Sequence, residues 1–323
     1  MKPFPAVLIF TFCCSCTGST IKNESSIAGK DPGMASSQVS LIVLGTIQDA
    51  GSPQIGCTKD CCRELFQHPD KDRMVVSLGL VDAVSNRNYI IEATPDITQQ
   101  AKDLKNSSPG NKEIPDGIFL THAHIGHYTG LMYLGKEAMN ADSVPVFAMP
   151  RMKAFLEQNG PWSQLVLNKN IALQELHDGK EIQLTENLKI TPFAVPHRDE
   201  FSETAGYKIT GKNKKALFIP DIDKWEKWNT DIIRAIAEVD YAFIDGTFYD
   251  AAEINNRDIS TIPHPFIIES MKLFKDLPAT EQKKIYFIHF NHTNPVINKN
   301  SEQYRQVIKN GFNVAGIHQK FPL

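Results

Sequence analysis

Five short apolar runs in this chain each lead into a residue able to bind a metal or move a proton. Gly117-Ile-Phe-Leu120 leads to His122, His124 and His127, and Ile190-Thr-Pro-Phe-Ala-Val-Pro-His197 ends on an imidazole. Ala216-Leu-Phe-Ile-Pro-Asp221 and Tyr241-Ala-Phe-Ile-Asp245 end on carboxylates, and Ile285-Tyr-Phe-Ile-His289 is followed by His292. Short runs rich in β-branched and aromatic residues read as strands. Polar residues at strand ends sit on loops that a sheet can gather on one rim, where binding sites form. Taken singly, each residue is a turn residue or a satisfied buried polar group. Taken as an ordered series, they point to one shared site.

The remaining pattern sets the fold class. Further strands are expected at Gln38–Gly45, Met74–Val84, Asn88–Glu92, Val144–Ala148, Ile171–Leu176, Glu181–Pro192, Thr204–Thr210 and Asn313–Ala315. Helices are expected at Asp96–Lys105, Gly130–Met139, Arg151–Gln158, Thr230–Ala237, Phe266–Phe274 and Ser301–Ile308. Strands outnumber helices in both halves, which implies an α/β protein of the α+β type: two sheets with helices on the outer faces. No Pro/Ser-rich linker interrupts residues 38–323, so they are expected to form one domain. A hydrophobic share of 41% supplies a sizeable core, and a net charge of −3 with no basic run gives no case for nucleic acid.

The first residues read differently. Lys2, the apolar run Phe4–Phe12 and Cys13-Cys-Ser-Cys16 have the order of an export signal, too short to span a bilayer. Residues 1–16 are expected to be a lipoprotein-type signal peptide with Cys16 lipidated, which implies a bacterial cell envelope and a lipid anchor in the membrane. A soluble secreted or periplasmic protein is the alternative. Residues 17–37, rich in Ser, Gly and Lys, read as a flexible tether.

Beyond the signal only Cys57, Cys61 and Cys62 remain of six cysteines. An odd, tight cluster is a poor disulfide framework and a reasonable metal triplet awaiting a fourth ligand. A vicinal disulfide or plain buried thiols are the other readings. The histidine loop carries its own spacing argument. Neutral imidazole is the commonest protein ligand for zinc, and a loop leaving a strand can turn His122 and His124 toward one ion while His127 begins a second site.

The order His122-x-His124-x-x-His127, then His197, Asp221 and His289, resembles the metallo-β-lactamase superfamily of αββα hydrolases. The likeness is to its branch containing coenzyme PQQ synthesis protein B and phosphodiesterase-type enzymes. Leu44-Gly-Thr-Ile-Gln-Asp-Ala-Gly-Ser-Pro-Gln54 with Cys57, Ile244-Asp-Gly-Thr-Phe248, and Ile288-His-Phe-Asn-His-Thr-Asn-Pro295 are similar to blocks of that branch, and the resemblance spans about residues 40 to 316. It implies that His122, His124 and His197 hold a first metal, that Asp221 bridges, and that His127 and His289 hold a second. It implies a structural zinc on Cys57, Cys61, Cys62 and His292, and a general-acid role for His264 in Thr261-Ile-Pro-His-Pro265. Tyr128, Arg198 and Lys224 are candidate contacts for an anionic small-molecule substrate.

One position departs from the family pattern. Gly126 stands where the resemblance predicts an aspartate ligand of the second ion. A water fills that gap, another acid such as Asp245 or Asp49 replaces it, or only one ion binds. The expected function is an exported hydrolase using metal-bound hydroxide on an ester, phosphodiester or lactone, with Asp221 and His264 as its catalytic groups. Zinc is the expected cofactor, one or two ions in the active site plus the structural one, with iron or manganese as active-site alternatives. An iron-dependent oxygenase related to PQQ synthesis protein B and a non-catalytic metal-binding lipoprotein are the competing readings.

Overall fold

The computed structural model describes residues 39–323 except 256. The expected signal peptide, Cys16 and the tether lie outside these residues. Among those described, no helix is long and apolar enough to cross a membrane.

Seven strands form the first sheet: β1 (Val39–Gly45), β2 (Ser77–Asp82), β3 (Arg87–Ile91), β4 (Gly117–Phe119), β5 (Val144–Ala148), β6 (Ile171–Glu175) and β14 (Lys320–Pro322), in the order β14-β1-β2-β3-β4-β5-β6. Seven more form the second: β7 (Ile182–Thr185), β8 (Leu188–Val195), β9 (Thr204–Thr210), β10 (Lys215–Ile219), β11 (Tyr241–Asp245), β12 (Ile285–Ile288) and β13 (Asn313–Val314), in the order β13-β12-β11-β10-β9-β8-β7. Each sheet is mixed. Parallel pairing runs from β3 to β6 and from β10 to β13, and the remaining pairs are antiparallel.

The helices are α1 (Asp60–Gln67), α2 (Ile97–Asn106), α3 (Ile125–Tyr128), α4 (Pro150–Gln158), α5 (Trp162–Leu167), α6 (Ile232–Ala237), α7 (Ile267–Phe274), α8 (Ala279–Gln282) and α9 (Glu302–Lys309). The period-2 alternation of a strand explains how both faces of each sheet are buried. In β1, Leu41 and Val43 point into the core between the sheets, where they join Leu78, Phe119, Tyr207, Phe218 and Phe243. Ile42 and Leu44 point outward, under Ile97 and Leu104 of α2. On the second sheet Leu217, Ile219 and Phe287 pack under Ile236 of α6 and Phe274 of α7. Burying one such large side chain contributes about 2–3 kcal/mol, and the sandwich has three layers of them.

Four expected elements are revised. Glu181–Pro192 is a hairpin, β7 and the start of β8, because Glu186-Asn187 turns the chain. Gly130–Met139 is a 3-10 turn over Thr129–Leu134 followed by loop, where Gly130 packs against the Ala93 and Thr94 carbonyls. Helix α1, absent from the expected helices, carries Cys61 and Cys62. The last residues add β14 beside β1, with Leu41 opposite Phe321.

The two sheets are tied together near the site. Ile47 bridges to both Val75 and Phe290, Gln48 N donates to Phe290 O at 2.8 Å, and Phe290 N donates to Thr46 O at 2.8 Å. The loop after β1 is thereby fastened to the loop after β12.

Candidate metal centre

Site residues follow the strands directly. Glu92 follows β3, His122 follows β4, His197 follows β8, Asp221 follows β10, Asp245 ends β11 and His289 follows β12. Their tips share one rim because the sheets are packed face to face. Among the described residues, His122, His124, His197 and Asp221 bring ligand atoms within 4.8 Å of one another, and so do Asp49, His127 and His289.

Asp221 stands between these groups. Its Oδ1 lies 3.2 Å from His197 Nε2 and 3.2 Å from His264 Nδ1. Its Oδ2 lies 3.5 Å from His122 Nε2, 4.0 Å from His124 Nδ1, and 3.9 Å from the Nε2 atoms of His127 and His289. Burial raises the Asp221 carboxyl, but the surrounding imidazoles, His197 and His264 foremost, hold it well below the usual carboxylate range. The Nε2 atoms of His127, His197 and His289 and Oδ1 of Asp221 are buried without a hydrogen-bond partner in the protein. Unpaired buried polar atoms are costly, so their convergence indicates a site built for a further partner.

Two relays fix the imidazole tautomers. Thr121 Oγ1 donates to Glu92 Oε1 at 2.5 Å and lies 2.8 Å from His122 Nδ1, from which it accepts. Thr247 Oγ1 donates to Asp245 Oδ1 at 2.7 Å and accepts from His289 Nδ1 at 2.8 Å. Each relay places the proton on Nδ1 and leaves a lone pair on Nε2, which for His289 lies 3.9 Å from Asp221 Oδ2 and for His122 lies 2.8 Å from His124 Nδ1 and 3.5 Å from Asp221 Oδ2. Burial pushes His122 and His289 well below the ordinary histidine range, the neutral form that metal ligation needs.

His127 and His264 behave oppositely. Burial disfavours charge on both, but Glu92 Oε1 lies 3.2 Å from His127 Nδ1, and Asp245 Oδ2 lies 2.9 Å from His264 Nδ1. Those carboxylates win, and both imidazoles are pushed up to about 9. Glu92 and His289 also adopt left-handed backbone, φ +81° and +68°. For non-glycine residues this costs about 1–3 kcal/mol each, a strain typical of functional sites.

The cysteine cluster is the second centre. His292 Nδ1 lies 3.7, 3.5 and 3.2 Å from the sulfurs of Cys57, Cys61 and Cys62. Zinc bonds of about 2.3 Å to sulfur and 2.0–2.1 Å to nitrogen, at tetrahedral angles, would separate S and N by about 3.5 Å. Burial, then the neighbouring sulfurs, push the Cys61 thiol up to about 12. The spacing is that of a four-ligand metal set, and binding an ion there would draw the protons off these thiols.

Several expectations change. Tyr128 packs edge-on against Phe155 and Trp162 and is buried, so it belongs to the core. Lys224 is buried and paired to Glu269 at 2.6 Å, so it is committed to a structural ion pair. Arg198 is exposed beside His197 and stays available. Glu92, Thr121, Thr247 and Glu200, whose Oε2 lies 3.4 Å from His124 Nε2, are site residues that sequence reasoning missed. Glu92 had a signal: it ends Tyr89-Ile-Ile-Glu92 just as Asp245 ends its own apolar run.

A family profile described as Beta-lactamase superfamily domain matches residues 87–290. The chain is similar to coenzyme PQQ synthesis protein B of Gluconobacter oxydans (strain 621H), 26% identical over 301 residues, covering 86% of this chain and 96% of that protein. It is 27% identical to the protein of the same name from Xanthomonas axonopodis pv. citri (strain 306), covering 85% and 97% of the two chains. Among solved structures it resembles zinc-bound PqqB from Methylobacterium extorquens, with a TM-score of 0.72, 22% identity, and coverage of 88% and 100%. It also resembles a diphosphatase of the PhnP family, with a TM-score of 0.62, 21% identity, and coverage of 88% and 96%. At these identities the solved structures speak to the fold, and they agree with the two-sheet sandwich expected from the sequence.

Proposed function

Since this chain belongs to the β-lactamase superfamily, we propose that it is a metal-dependent hydrolase acting on an ester, phosphodiester or lactone. The observation that carries the reading is the convergence of unpaired Nε2 atoms from His127, His197 and His289 on the Asp221 carboxylate. The donor set fits a divalent ion: His122, His124, His197 and Asp221 would hold one, and His127, His289 and Asp221 would contribute to a second. When bound, such ions lower the pKa of water and polarise the scissile bond.

The chain's own groups supply the rest. Asp221 stands at the centre of the imidazoles, within 4.0 Å of each. Glu92 and Asp245, acting through threonines, keep Nε2 of His122 and His289 free of protons. Below its pKa of about 9 His264 carries protons on both ring nitrogens, so Asp245 holds the one on Nδ1 while the one on Nε2 can pass to a leaving group. Arg198 offers a positive charge at the rim for an anionic substrate. Cys57, Cys61, Cys62 and His292 would hold a structural zinc. Export as a lipoprotein anchored through Cys16 completes the proposal and rests on the sequence alone; Cys16→Ser should abolish labelling by a palmitate analogue.

The test is turnover by purified zinc-loaded protein on cyclic and linear phosphodiesters, lactones and thioesters, beside His122→Ala and Asp221→Ala. Hydrolysis in the parent that both substitutions reduce by at least about a hundredfold supports the reading. Turnover that neither substitution reduces would sink it. The identity to coenzyme PQQ synthesis protein B favours a second reading, oxidation at an iron centre, for which purified protein would carry iron and hydrolyse none of these substrates.

A further inference from the structure

Gly126 lies on α3 directly before His127, and its backbone is ordinary helix, so the glycine is not there for its conformation. It is there for space. A Cβ at this position would fall 2.5 Å from both Cα and Cβ of Asp49 and would strike the Asp49 carbonyl oxygen as well. Real Cβ contacts of that kind do not occur, and most of the obstruction is backbone, which cannot swing away as a flexible side chain could. Asp49 thus occupies the volume that a side chain on residue 126 would need.

Asp49 also brings a ligand there. One of its carboxylate oxygens groups with nitrogens of His127 and His289 within 4.8 Å, and Asp221 Oδ2 lies 3.9 Å from each of those imidazoles. The segment holding Asp49 is fastened to the last histidine loop through Gln48 N and Phe290 O at 2.8 Å, and it closes into a turn through Gly51 N and Gln48 O at 2.9 Å. The Gln48 side-chain amide donates to Asp49 Oδ1. The carboxylate is therefore held by the same loop-to-loop tie that places His289.

We propose that Asp49 is the carboxylate ligand of the second ion, supplied from the loop after β1 in place of a side chain at residue 126, and that Gly126 is required because it makes room for Asp49. The second set then comprises Asp49, His127, Asp221 and His289, with two carboxylates and two imidazoles, and the site takes two ions rather than one. The relocation rests on the metal-site reading above, but it assigns a ligand and a steric role that reading does not contain.

The test uses the full chain, stripped of metal and titrated with Co²⁺. The visible spectrum separates a thiolate-bound ion, with its sulfur charge-transfer band, from ions bound by nitrogen and oxygen. Zn²⁺ competition against a chromophoric chelator then measures affinity. The parent should take one thiolate-type ion and two nitrogen/oxygen-type ions. Asp49→Asn should weaken one of the latter by at least about a hundredfold and leave the other unchanged. Gly126→Ala, which deletes no ligand, should produce the same selective loss by displacing Asp49. The intact thiolate band serves as the check that both variants are folded. Two nitrogen/oxygen ions bound by Asp49→Asn with parental affinity would overturn the proposal, and so would a single such ion in the parent, although the hydrolase reading would survive either result. A parent that binds no nitrogen/oxygen ion would overturn both.

Discussion

Asp245 Oδ2 and His264 Nδ1 stand 2.9 Å apart, and the carboxylate is fully buried. Its other oxygen accepts from the Thr247 backbone N–H at 2.8 Å and hydroxyl at 2.7 Å, so a single acid orients both His264 and, through Thr247, His289.

This pairing sets a pH limit. Burial alone would lower the His264 pKa, and Asp245 and Asp221 raise it to about 9, so the imidazole stays protonated up to that pH and loses its proton above it. Asp245→Asn removes one of those charges. The alkaline limb of kcat/KM should move down by about 1–3 pH units, following the usual effect of an adjacent opposite charge. A pH–rate profile on any substrate the enzyme turns over would show it, and an unmoved alkaline limb would remove His264 as the proton donor.

Thr121 and Thr247 touch no candidate ion, yet each dictates a histidine tautomer. Replacing either with valine keeps the shape and breaks the relay from Glu92 or Asp245. Metal affinity measured by chelator competition should fall about 10–100-fold in each variant. Thr121→Val should affect the ion on the His122 set, and Thr247→Val the ion on the His289 set.

The cysteine cluster ties α1 to the loop after β12. Cys62→Ser or prolonged chelation should remove one zinc per chain and lower the unfolding midpoint, because a structural ion contributes directly to folding. Calorimetry with metal analysis on the same sample would settle it; an unchanged midpoint after loss of the ion would show the cluster to be structurally idle.

Glu253 offers a stability test that removes no candidate metal ligand. Burial pushes its carboxyl up to about 7, although Thr293 Oγ1 donates to it at 2.9 Å and the Tyr249 backbone N–H donates to its other oxygen. The folded protein therefore holds this proton more tightly than the unfolded chain does. Stability falls as pH rises from about 4.5 to 7, and the penalty is fully present above 7. The shift corresponds to about 3 kcal/mol. Glu253→Gln should raise the unfolding midpoint at pH 8 and change it little at pH 4.5; equal effects at both would contradict the argument.

Legibility followed periodicity. His197, Asp221, Asp245 and His289 stood out because each closes an apolar run, and strand ends are where a sheet delivers polar groups. Glu92 carried the same signature at the end of β3 and was passed over because it lies ahead of the histidine loop, outside the ordered series that begins at His122. Thr121 and Thr247 had no signature, since a hydroxyl gains meaning only from the two groups it lies between. Tyr128 and Lys224 looked like substrate contacts because polar groups near a histidine loop invite that reading, but packing against Trp162 and pairing with Glu269 use them internally.

What the residues by themselves determined was the two-sheet architecture and the primary imidazole and carboxylate set. Alternation and strand-end polarity are local properties, written within a few neighbouring positions. The family resemblance added that Gly126 stands where a carboxylate ligand is expected. Only the tertiary structure decided what stands in its place. Asp49 lies 77 positions earlier in the chain and reaches the site because Ile47 bridges both sheets and Gln48 bonds to Phe290. A steric exclusion between backbone atoms so distant in sequence has no local signature, because it exists only once two loops are brought into contact.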